Sequence, residues 1–292
     1  MANKDSYIVK SEDGIRYACT IINAETCRPE VAIRPAEKVE GNVVVPTQVE
    51  INGKSYPVTV IEENAFSHMR MKAVTLPETV VKIEESSFCC CEHLREVYLG
   101  KALRIIGNLA FEGCKWLAYM PIPDTVTQIG HFALRDTRMV DIQTERGAVY
   151  LGHILYGYNG YLPKHSYLEV RKGTTVIADS AFNSSVEHRY NCRNLEGIIL
   201  PQGIKRIGTS AFNMCRDLKY VNLPRSVEYI GASSFIGTNV HEVTVPRKKP
   251  IKIGIGPFND YTVIYVPKGT AEAYSKDHDW GWEWKHYQFV EI

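Results

Sequence analysis

The sequence lacks most of the features that would assign a chain to a chemical class. No apolar stretch approaches the ~20 residues needed to cross a bilayer. The 34 Lys and Arg residues are balanced by 33 Asp and Glu residues, which leaves a net charge of +1. Such a balance gives no electrostatic footprint for nucleic acid or an anionic membrane. A solvent-exposed loop is enough to explain the one basic run, Arg247-Lys248-Lys249.

The first ten residues contain no apolar core of a signal peptide. Two interpretations of the location follow and stay open. The protein is intracellular, or the chain is a mature form from which an export signal was removed.

The motifs of common enzymes are also missing. We find no His-Glu-x-x-His, no Gly-x-Ser-x-Gly, no phosphate-binding glycine loop and no dinucleotide fingerprint. The nine histidines do not recur with carboxylates at metal-ligand spacing. We therefore expect no enzyme activity, no cofactor and no metal site. An enzyme assembled from distant segments is the remote alternative, because such a site leaves no local motif.

The eight cysteines do not form the ligand pairs of a metal site. Four of them lie three residues before a leucine: Cys91, Cys114, Cys192 and Cys215. We interpret these as small buried hydrophobic residues. The contiguous Cys89, Cys90 and Cys91 lack the second pair that a zinc site needs. Cys19 and Cys27 could form a disulfide in an oxidising compartment, and that question stays open.

What the sequence does contain is a repeat of about 23 residues. The phrase Ile-x-x-x-Ala-Phe, in full or altered form, ends at Phe66, Phe88, Phe111, Leu134, Phe182, Phe212, Phe235 and Phe258. A fixed period between about 20 and 50 residues indicates a solenoid or another repeat array. We therefore predict about eight stacked coils.

One unit reads Leu-x-x-Val-x-Leu-Pro-x-x-Val-x-x-Ile-Gly-x-x-Ala-Phe-x-x-Cys. The alternation in Val-x-Leu predicts a short strand, which the proline ends. Val-x-x-Ile predicts a second short extended segment, and the glycine permits a turn. Ala-Phe-x-x-Cys predicts a single helical or 3₁₀ turn with the phenylalanine pointing inward. The fold is therefore a mainly β solenoid with a core of Leu, Val, Ile, Phe and Cys.

Two segments interrupt the period. Extra residues between Phe182 and Cys192 predict a loop over 183–190. Residues 140–170 hold a divergent coil that is rich in Tyr and Gly and lacks the Ala-Phe phrase. Whether that coil marks a bend, a binding feature or drift stays open.

We divide the chain into a β cap over 1–57, a solenoid over 58–265 and a C-terminal cap over 266–292. Asp13-Gly14 between two β-like runs predicts a hairpin in the first cap. In the second cap we predict a helix over Ala271–Lys276. We expect the tryptophans that follow it to pack on the last coil: Trp280, Trp282 and Trp284.

Residues that flank the central valine of Leu-x-x-Val-x-Leu point away from the core. The candidate binding residues at these positions are Glu96, Tyr98, Tyr119, Tyr220, Asn222, Glu242 and Tyr265. Exposed tyrosine offers a large contact area with a polar end and is enriched at interfaces. The alternative is cross-strand packing that only stabilises the sheet.

The repeat, continued as Cys-x-x-Leu, resembles the BspA-like leucine-rich repeats, also called the Treponema pallidum type. The ending from Val266 to Tyr274, followed by Trp280, is similar to the terminus common in such proteins from Bacteroides-type bacteria. The resemblance covers roughly residues 58 to 275. It implies a curved leucine-rich repeat solenoid with short parallel strands on its concave side.

The resemblance also implies a function. Family members are mostly secreted or cell-surface proteins, and a few bind host matrix proteins, plasma proteins or other cells. We therefore expect a non-enzymatic binding module that holds a protein or glycan on the concave sheet, in adhesion or host interaction. We expect no nucleic-acid partner and no membrane span. The alternative is an intracellular scaffold for protein–protein interaction, which the free cysteines and the missing export signal would fit.

Overall fold

The computed structural model describes residues 6–12, 14–23, 29–143, 146–183, 190–192, 194–283 and 287–292. The chain forms two compact units, Met1–Gln143 and Thr144–Ile292. This division falls inside the predicted solenoid. The domain boundaries that we placed after residues 57 and 265 stay a prediction. No helix in the described part of the chain is long and apolar enough to cross a membrane.

The regular secondary structure of the first unit consists of strands and one short helix. Its elements are β1 (Ser6–Lys10), β2 (Arg16–Ile22), β3 (Glu30–Pro35), β4 (Glu40–Val44), β5 (Gln48–Ile51), β6 (Lys54–Ile61), β7 (Arg70–Thr75), β8 (Lys82–Ile83), β9 (Glu96–Tyr98), β10 (Ile105–Ile106), β11 (Gln128–Ile129) and the short helix α1 (Arg138–Asp141). β1 and β2 pair antiparallel, which confirms the predicted hairpin, and β5 and β6 form a second one.

Two parallel ladders run through the repeats of this unit. The predicted first strands β7 and β9 pair in parallel, β4 joins them from the predicted cap, and a bridge from Glu96 to Tyr119 extends the ladder. The predicted second segments include the two-residue strands β8, β10 and β11, which continue a parallel ladder from the longer β6. Val74 and Val97, at the centres of first strands, are fully buried. The period-two alternation therefore placed the buried valines of the first strands correctly.

The phenylalanine segment links each coil to the next one. Phe66 and Phe88 are fully buried, as predicted, and their rings stack with centroids 4.9 Å apart. The Phe66 N–H donates to the carbonyl of Ser87 in the next coil at 2.6 Å. Asn64 and His68, two residues before and after Phe66, have φ values of 56° and 60°. Along this segment, every second N–H donates to a carbonyl of the neighbouring coil, and the N–H groups between them donate within their own turn. The segment is therefore not a continuous 3₁₀ helix.

The second unit repeats this plan. Its elements are β12 (Gly147–Leu151), β13 (Ile154–Tyr161), β14 (Ser166–Glu169), β15 (Val176–Ile177), β16 (Tyr190–Asn191), β17 (Leu195–Ile199), β18 (Arg206–Ile207), β19 (Tyr220–Asn222), β20 (Tyr229–Ile230), β21 (Glu242–Thr244), β22 (Lys252–Ile253), β23 (Val263–Val266), α2 (Ala271–Lys276), α3 (His278–Glu283) and β24 (Gln288–Glu291). The second strands form the parallel ladder β13-β15-β18-β20-β22. The first strands form two separate sheets, β14-β17-β19 and β21-β23-β24.

The divergent segment at 140–170 contains an antiparallel hairpin, β12-β13. β13 then pairs in parallel with β15, the first repeat strand beside it. The hairpin β5-β6 of the first unit leads into its own ladder in the same way, since β6 pairs in parallel with β8. Each unit therefore contains a hairpin whose second strand joins the parallel ladder of second strands.

The C-terminal end closes the second unit with aromatic side chains. The predicted helix Ala271–Lys276 is confirmed as α2. Trp280 is fully buried, and its Nε1–H donates to the carbonyl of Ile251 in the last coil at 2.7 Å. This contact confirms the predicted packing of Trp280. The side chain of Trp282 and residue Trp284 lie outside the described residues, as does most of the predicted loop over 183–190.

The four repeat cysteines are buried, as predicted: Cys91, Cys114, Cys192 and Cys215. Each thiol donates to a phenylalanine carbonyl, for example Cys91 Sγ to Phe66 O at 2.9 Å and Cys114 Sγ to Phe88 O at 3.1 Å. Cys27 lies outside the described residues, so pairing with Cys19 stays open. Across the described residues, no three His, Cys, Asp or Glu side chains are grouped to hold a metal ion.

Candidate binding surface

The first strands present their flanking residues to solvent, and most of the predicted site residues lie there. Tyr98, Tyr119 and Tyr220 are 43 %, 52 % and 59 % exposed. Glu96, Asn222 and Glu242 are exposed as well. Tyr265 is less exposed than these residues and is half-buried, because β23 lies in the middle of its sheet with β21 and β24 on either side.

In the first unit, three predicted residues come together on β9 and on the segment that is bridged to it. The rings of Tyr98 and Tyr119 lie with centroids 5.7 Å apart, inclined at 56°. The Tyr98 hydroxyl donates to Glu96 Oε2 at 2.7 Å. This hydrogen bond to a carboxylate raises the pKa of Tyr98 above its ordinary value. Tyr98, Tyr119 and Glu96 therefore form one cluster. We call its two aromatic residues, Tyr98 and Tyr119, the first tyrosine pair.

In the second unit, Tyr220 has a partner that the sequence did not indicate. β14, β17 and β19 align Tyr167, Gly197 and Tyr220 in one row. The rings of Tyr167 and Tyr220 are nearly parallel, with centroids 6.1 Å apart and an angle of 20°. Tyr167 is 57 % exposed. We call Tyr167 and Tyr220 the second tyrosine pair.

Gly197 makes this pair possible. A β-carbon on Gly197 would lie 2.5 Å from Tyr167 Cε1 and 3.4 Å from the β-carbon of Tyr220. The Tyr167 ring therefore occupies the space that any larger residue at position 197 would need. A glycine inside a strand often marks such a close approach.

The second tyrosine pair borders a cleft of about 740 Å³. Among the described strands, β19 and β21 are not paired, and the cleft lies at this interruption. Val221 on β19 is only half-buried, whereas Val243 on β21 is buried. Asn239, His241 and Glu242 line the cleft on the β21 side.

Two predicted residues, Asn222 and Glu242, thus lie at this cleft. The Asn222 amide is engaged by the main chain, since its Oδ1 accepts from Leu200 N–H at 2.8 Å and its Nδ2 donates to Leu200 O at 3.2 Å. These bonds fix the end of β17 against β19. Glu242 is exposed at the edge of the cleft and is better placed for a ligand than Asn222.

A group of charged side chains lies next to the row of Tyr167, Gly197 and Tyr220. His165 Nδ1 donates to Glu196 Oε1 at 2.7 Å, and Lys219 Nζ lies 3.7 Å from the same oxygen. The hydrogen bond from His165, with the Lys219 charge as a smaller cause, lowers the pKa of Glu196 below its ordinary value. The carboxylate therefore holds Lys219 beside the cleft.

The repeats match a known family. The model of the BspA type leucine rich repeat region matches residues 47–162 and 176–266 in six copies. The chain belongs to the BspA-type leucine-rich repeat family. The fold is accordingly the predicted leucine-rich repeat solenoid, which is mainly β and has parallel strands. The family is generally a non-enzymatic repeat fold, which makes this chain a binding or protein-interaction module. Tyr167 lies between the two matched ranges.

Solved structures give further likenesses. A leucine-rich repeat protein from Bacteroides ovatus is 19 % identical, with 93 % of this chain and 75 % of that chain covered and a TM-score of 0.40. A leucine rich cell surface protein from Faecalibacterium prausnitzii is 17 % identical, with 99 % and 96 % covered and a TM-score of 0.37. The Treponema pallidum leucine-rich repeat protein is 22 % identical, with 98 % and 97 % covered and a TM-score of 0.33. No curated protein matches this chain.

The sequence missed Tyr167 and Gly197 as site residues. Gly197 flanks the central residue of its repeat strand, but it has no side chain to suggest a contact. Tyr167 lies in the divergent segment, which lacks the Ala-Phe phrase, so the repeat could not show which of its residues point away from the core. The only available signal was the alternation in Ser166-Tyr167-Leu168-Glu169, which is β14.

Proposed function

We propose that this chain is the binding module of a secreted or cell-surface protein. It holds a protein or glycan partner on the exposed face of its first strands, the face expected to be concave. The observation that carries this proposal is the pairing of exposed tyrosines at flanking positions in each unit: Tyr98 with Tyr119, and Tyr167 with Tyr220.

The chemistry of these positions supports a binding role over a purely structural one. Tyrosine contributes large contact area and a polar end at interfaces. Rings that served only to stabilise the sheet could lie flat and be covered by their neighbours. Three of the four are instead more than half exposed, namely Tyr119, Tyr167 and Tyr220.

The proposed location follows from the family, whose members are mostly secreted or surface proteins. Protease treatment of intact source cells, followed by detection with an antibody against this chain, tests it. We expect digestion without cell lysis. Digestion only after lysis would contradict a surface location and favour the intracellular scaffold.

A binding screen tests the function. The purified chain is presented to immobilised matrix proteins, plasma proteins and glycans, and binding is measured by surface plasmon resonance. The Tyr98→Ala/Tyr119→Ala and Tyr167→Ala/Tyr220→Ala double variants are run beside it. Tyr261→Ala serves as a control, because Tyr261 is 84 % exposed but lies in the turn before β23, outside the first strands.

We expect at least one ligand whose binding is weakened about tenfold or more by one double variant and is unchanged by Tyr261→Ala. Thermal melting monitored by circular dichroism establishes that each variant is folded. If wild-type chain binds no ligand of the screen, or if both double variants bind as wild type does, the proposed surface is wrong.

A further inference from the structure

We propose that the cleft at the interruption between β19 and β21 binds a neutral carbohydrate, with a pyranose ring packed against the aromatic stack of Tyr167 and Tyr220. This inference rests on the proposed binding function and assigns a ligand class to one of its two surfaces.

The ring geometry favours a sugar. A pyranose has an apolar face of C–H groups, which packs on the electron-rich face of an aromatic ring. Tyr167 and Tyr220 are within 20° of parallel and stacked, and both are more than half exposed, so the outer face of the stack is a flat aromatic plane. The rings of Tyr98 and Tyr119 are inclined at 56° and offer no such plane.

Small and apolar residues form the floor of the cleft beside the two rings. At position 197 there is only a hydrogen atom where other residues carry a side chain, so the Tyr167 ring lies close to the sheet. Val221, half-buried beside Tyr220, adds an apolar patch at the interruption. A flat ligand can therefore lie across β17 and β19 and reach β21.

The polar side chains of the cleft fit the hydroxyl groups at the edge of a sugar, each of which both donates and accepts hydrogen bonds. Lys219 and the Asn239 amide donate, whereas Glu242 accepts, and His241 does one or the other according to its tautomer. The charges are of both signs, and Lys219 is already close to Glu196. A field of one sign, as a sulfated or uronic acid polymer would require, is missing from this group of side chains.

The size of the cleft agrees with a short oligosaccharide. Small-ligand sites enclose roughly 300–1,000 Å³, and this cleft has about 740 Å³. A stable protein partner would instead have to cover about 800 Å² of this chain, most of which lies outside the cleft.

Isothermal titration calorimetry with neutral oligosaccharides tests the inference. The probes are the hexaoses of β-1,4-glucose, β-1,4-xylose, β-1,4-mannose and β-1,4-N-acetylglucosamine. We expect at least one of them to bind the wild-type chain at millimolar concentration or below. Tyr167→Ala and Tyr220→Ala should each weaken that binding about tenfold.

Three further variants make the test specific. Tyr167→Phe keeps the ring and should bind within about threefold of wild type. Gly197→Val keeps both tyrosines, but its side chain would displace the Tyr167 ring, so binding should fall as in Tyr167→Ala. Tyr261→Ala removes a tyrosine that is 84 % exposed but lies outside the first strands, so it should leave sugar binding unchanged.

The inference is overturned if no probe binds the folded wild-type chain, or if Tyr167→Ala and Tyr220→Ala bind sugar as wild type does. A protein ligand that is bound without any sugar would remove the carbohydrate assignment and leave the proposed binding function standing. A chain that binds neither sugars nor proteins would remove both.

Discussion

Phe88 and Phe111 stack face to face with ring centroids 4.9 Å apart and an interplanar angle of 2°. They come from neighbouring coils, and Phe66 continues the stack on the other side of Phe88 at the same spacing. All three side chains are fully buried. Because each coil of a repeat protein contacts mainly its neighbours, such a ladder connects the coils along the array.

Phe111→Ala should therefore lower the free energy of unfolding by roughly 3–5 kcal/mol, since it leaves a cavity in the ladder. Urea denaturation followed by circular dichroism measures the loss. Phe111→Leu is the matched control, because Leu134 already fills the equivalent position one coil later. It should cost less than about 1.5 kcal/mol. An alanine variant that unfolds at the same urea concentration as wild type would show that the Phe111 side chain does not pack in the core.

Close approach between coils gives a second prediction at Gly208. A β-carbon there would lie 2.5 Å from the backbone nitrogen of Asp179 and 2.6 Å from the carbonyl oxygen of Ala178. Gly208→Ala must push the two coils apart, at a cost of about 1–3 kcal/mol. It should also speed hydrogen exchange of the amide at position 208, which donates to Ile177 O at 3.0 Å in the wild-type protein.

Gly173→Ala is the control for Gly208. A β-carbon on Gly173 has no atom within 4 Å, but the backbone has a φ of +87°. Its cost is therefore backbone strain of about 1–2 kcal/mol, without an effect on exchange at position 208. Equal exchange at that amide in both variants would contradict close packing at Gly208.

The period of the sequence predicted the parts of the surface that repeat. Val97 is buried and Tyr98 exposed because alternate residues of a strand point to opposite faces. The same alternation correctly placed Tyr119 and Tyr220 on the exposed side. It could not show that the Asn222 amide is held by Leu200, since that contact depends on how two coils come together.

The row of Tyr167, Gly197 and Tyr220 could not be predicted for a related reason. Tyr167 follows the β12-β13 hairpin, and an antiparallel hairpin breaks the spacing that relates one coil to the next. Without the register of β14 on β17, nothing in the sequence places Tyr167 over Gly197. Departures from a repeat therefore need the structure before they can be assigned to the surface.

Glu196 yields a prediction on pH. Its pKa lies below the ordinary value of 4.5, first because His165 donates a hydrogen bond to it and then because of the His165 and Lys219 charges. A carboxyl with a lowered pKa stabilises the fold above its unfolded pKa, and this contribution is lost as the pH falls through the folded value. We expect the contact between His165 and Glu196 to break only below pH 4.5.

Titration of the Glu196 carboxyl by carbon-13 NMR measures this pKa. His165→Ala should raise it toward the ordinary value, and Lys219→Met should raise it by less. If His165→Ala leaves the titration of Glu196 unchanged, the contact does not form in solution.

Cys19 predicts how stability changes in alkali. The side chain is fully buried on β2, and burial, with the nearby Glu62 charge, raises the pKa of its thiol from 9.0 to about 12. A group whose folded pKa is raised contributes its stability below the unfolded pKa and loses it as the pH rises toward the folded one. The reduced protein should therefore lose up to about 1.4 kcal/mol per pH unit from this thiol between about pH 9 and 12.

Urea denaturation at a series of pH values in that window, with a reductant present, measures the slope. Cys19→Ala is less stable at neutral pH because it leaves a small cavity, but its stability should fall less steeply in alkali. Omitting the reductant separates the two states that the sequence left open. A Cys19 thiol bound in a disulfide cannot ionise, so oxidised wild type would then show the shallow slope of Cys19→Ala. Equal slopes for reduced wild type and Cys19→Ala would show that Cys19 is not buried as a thiol.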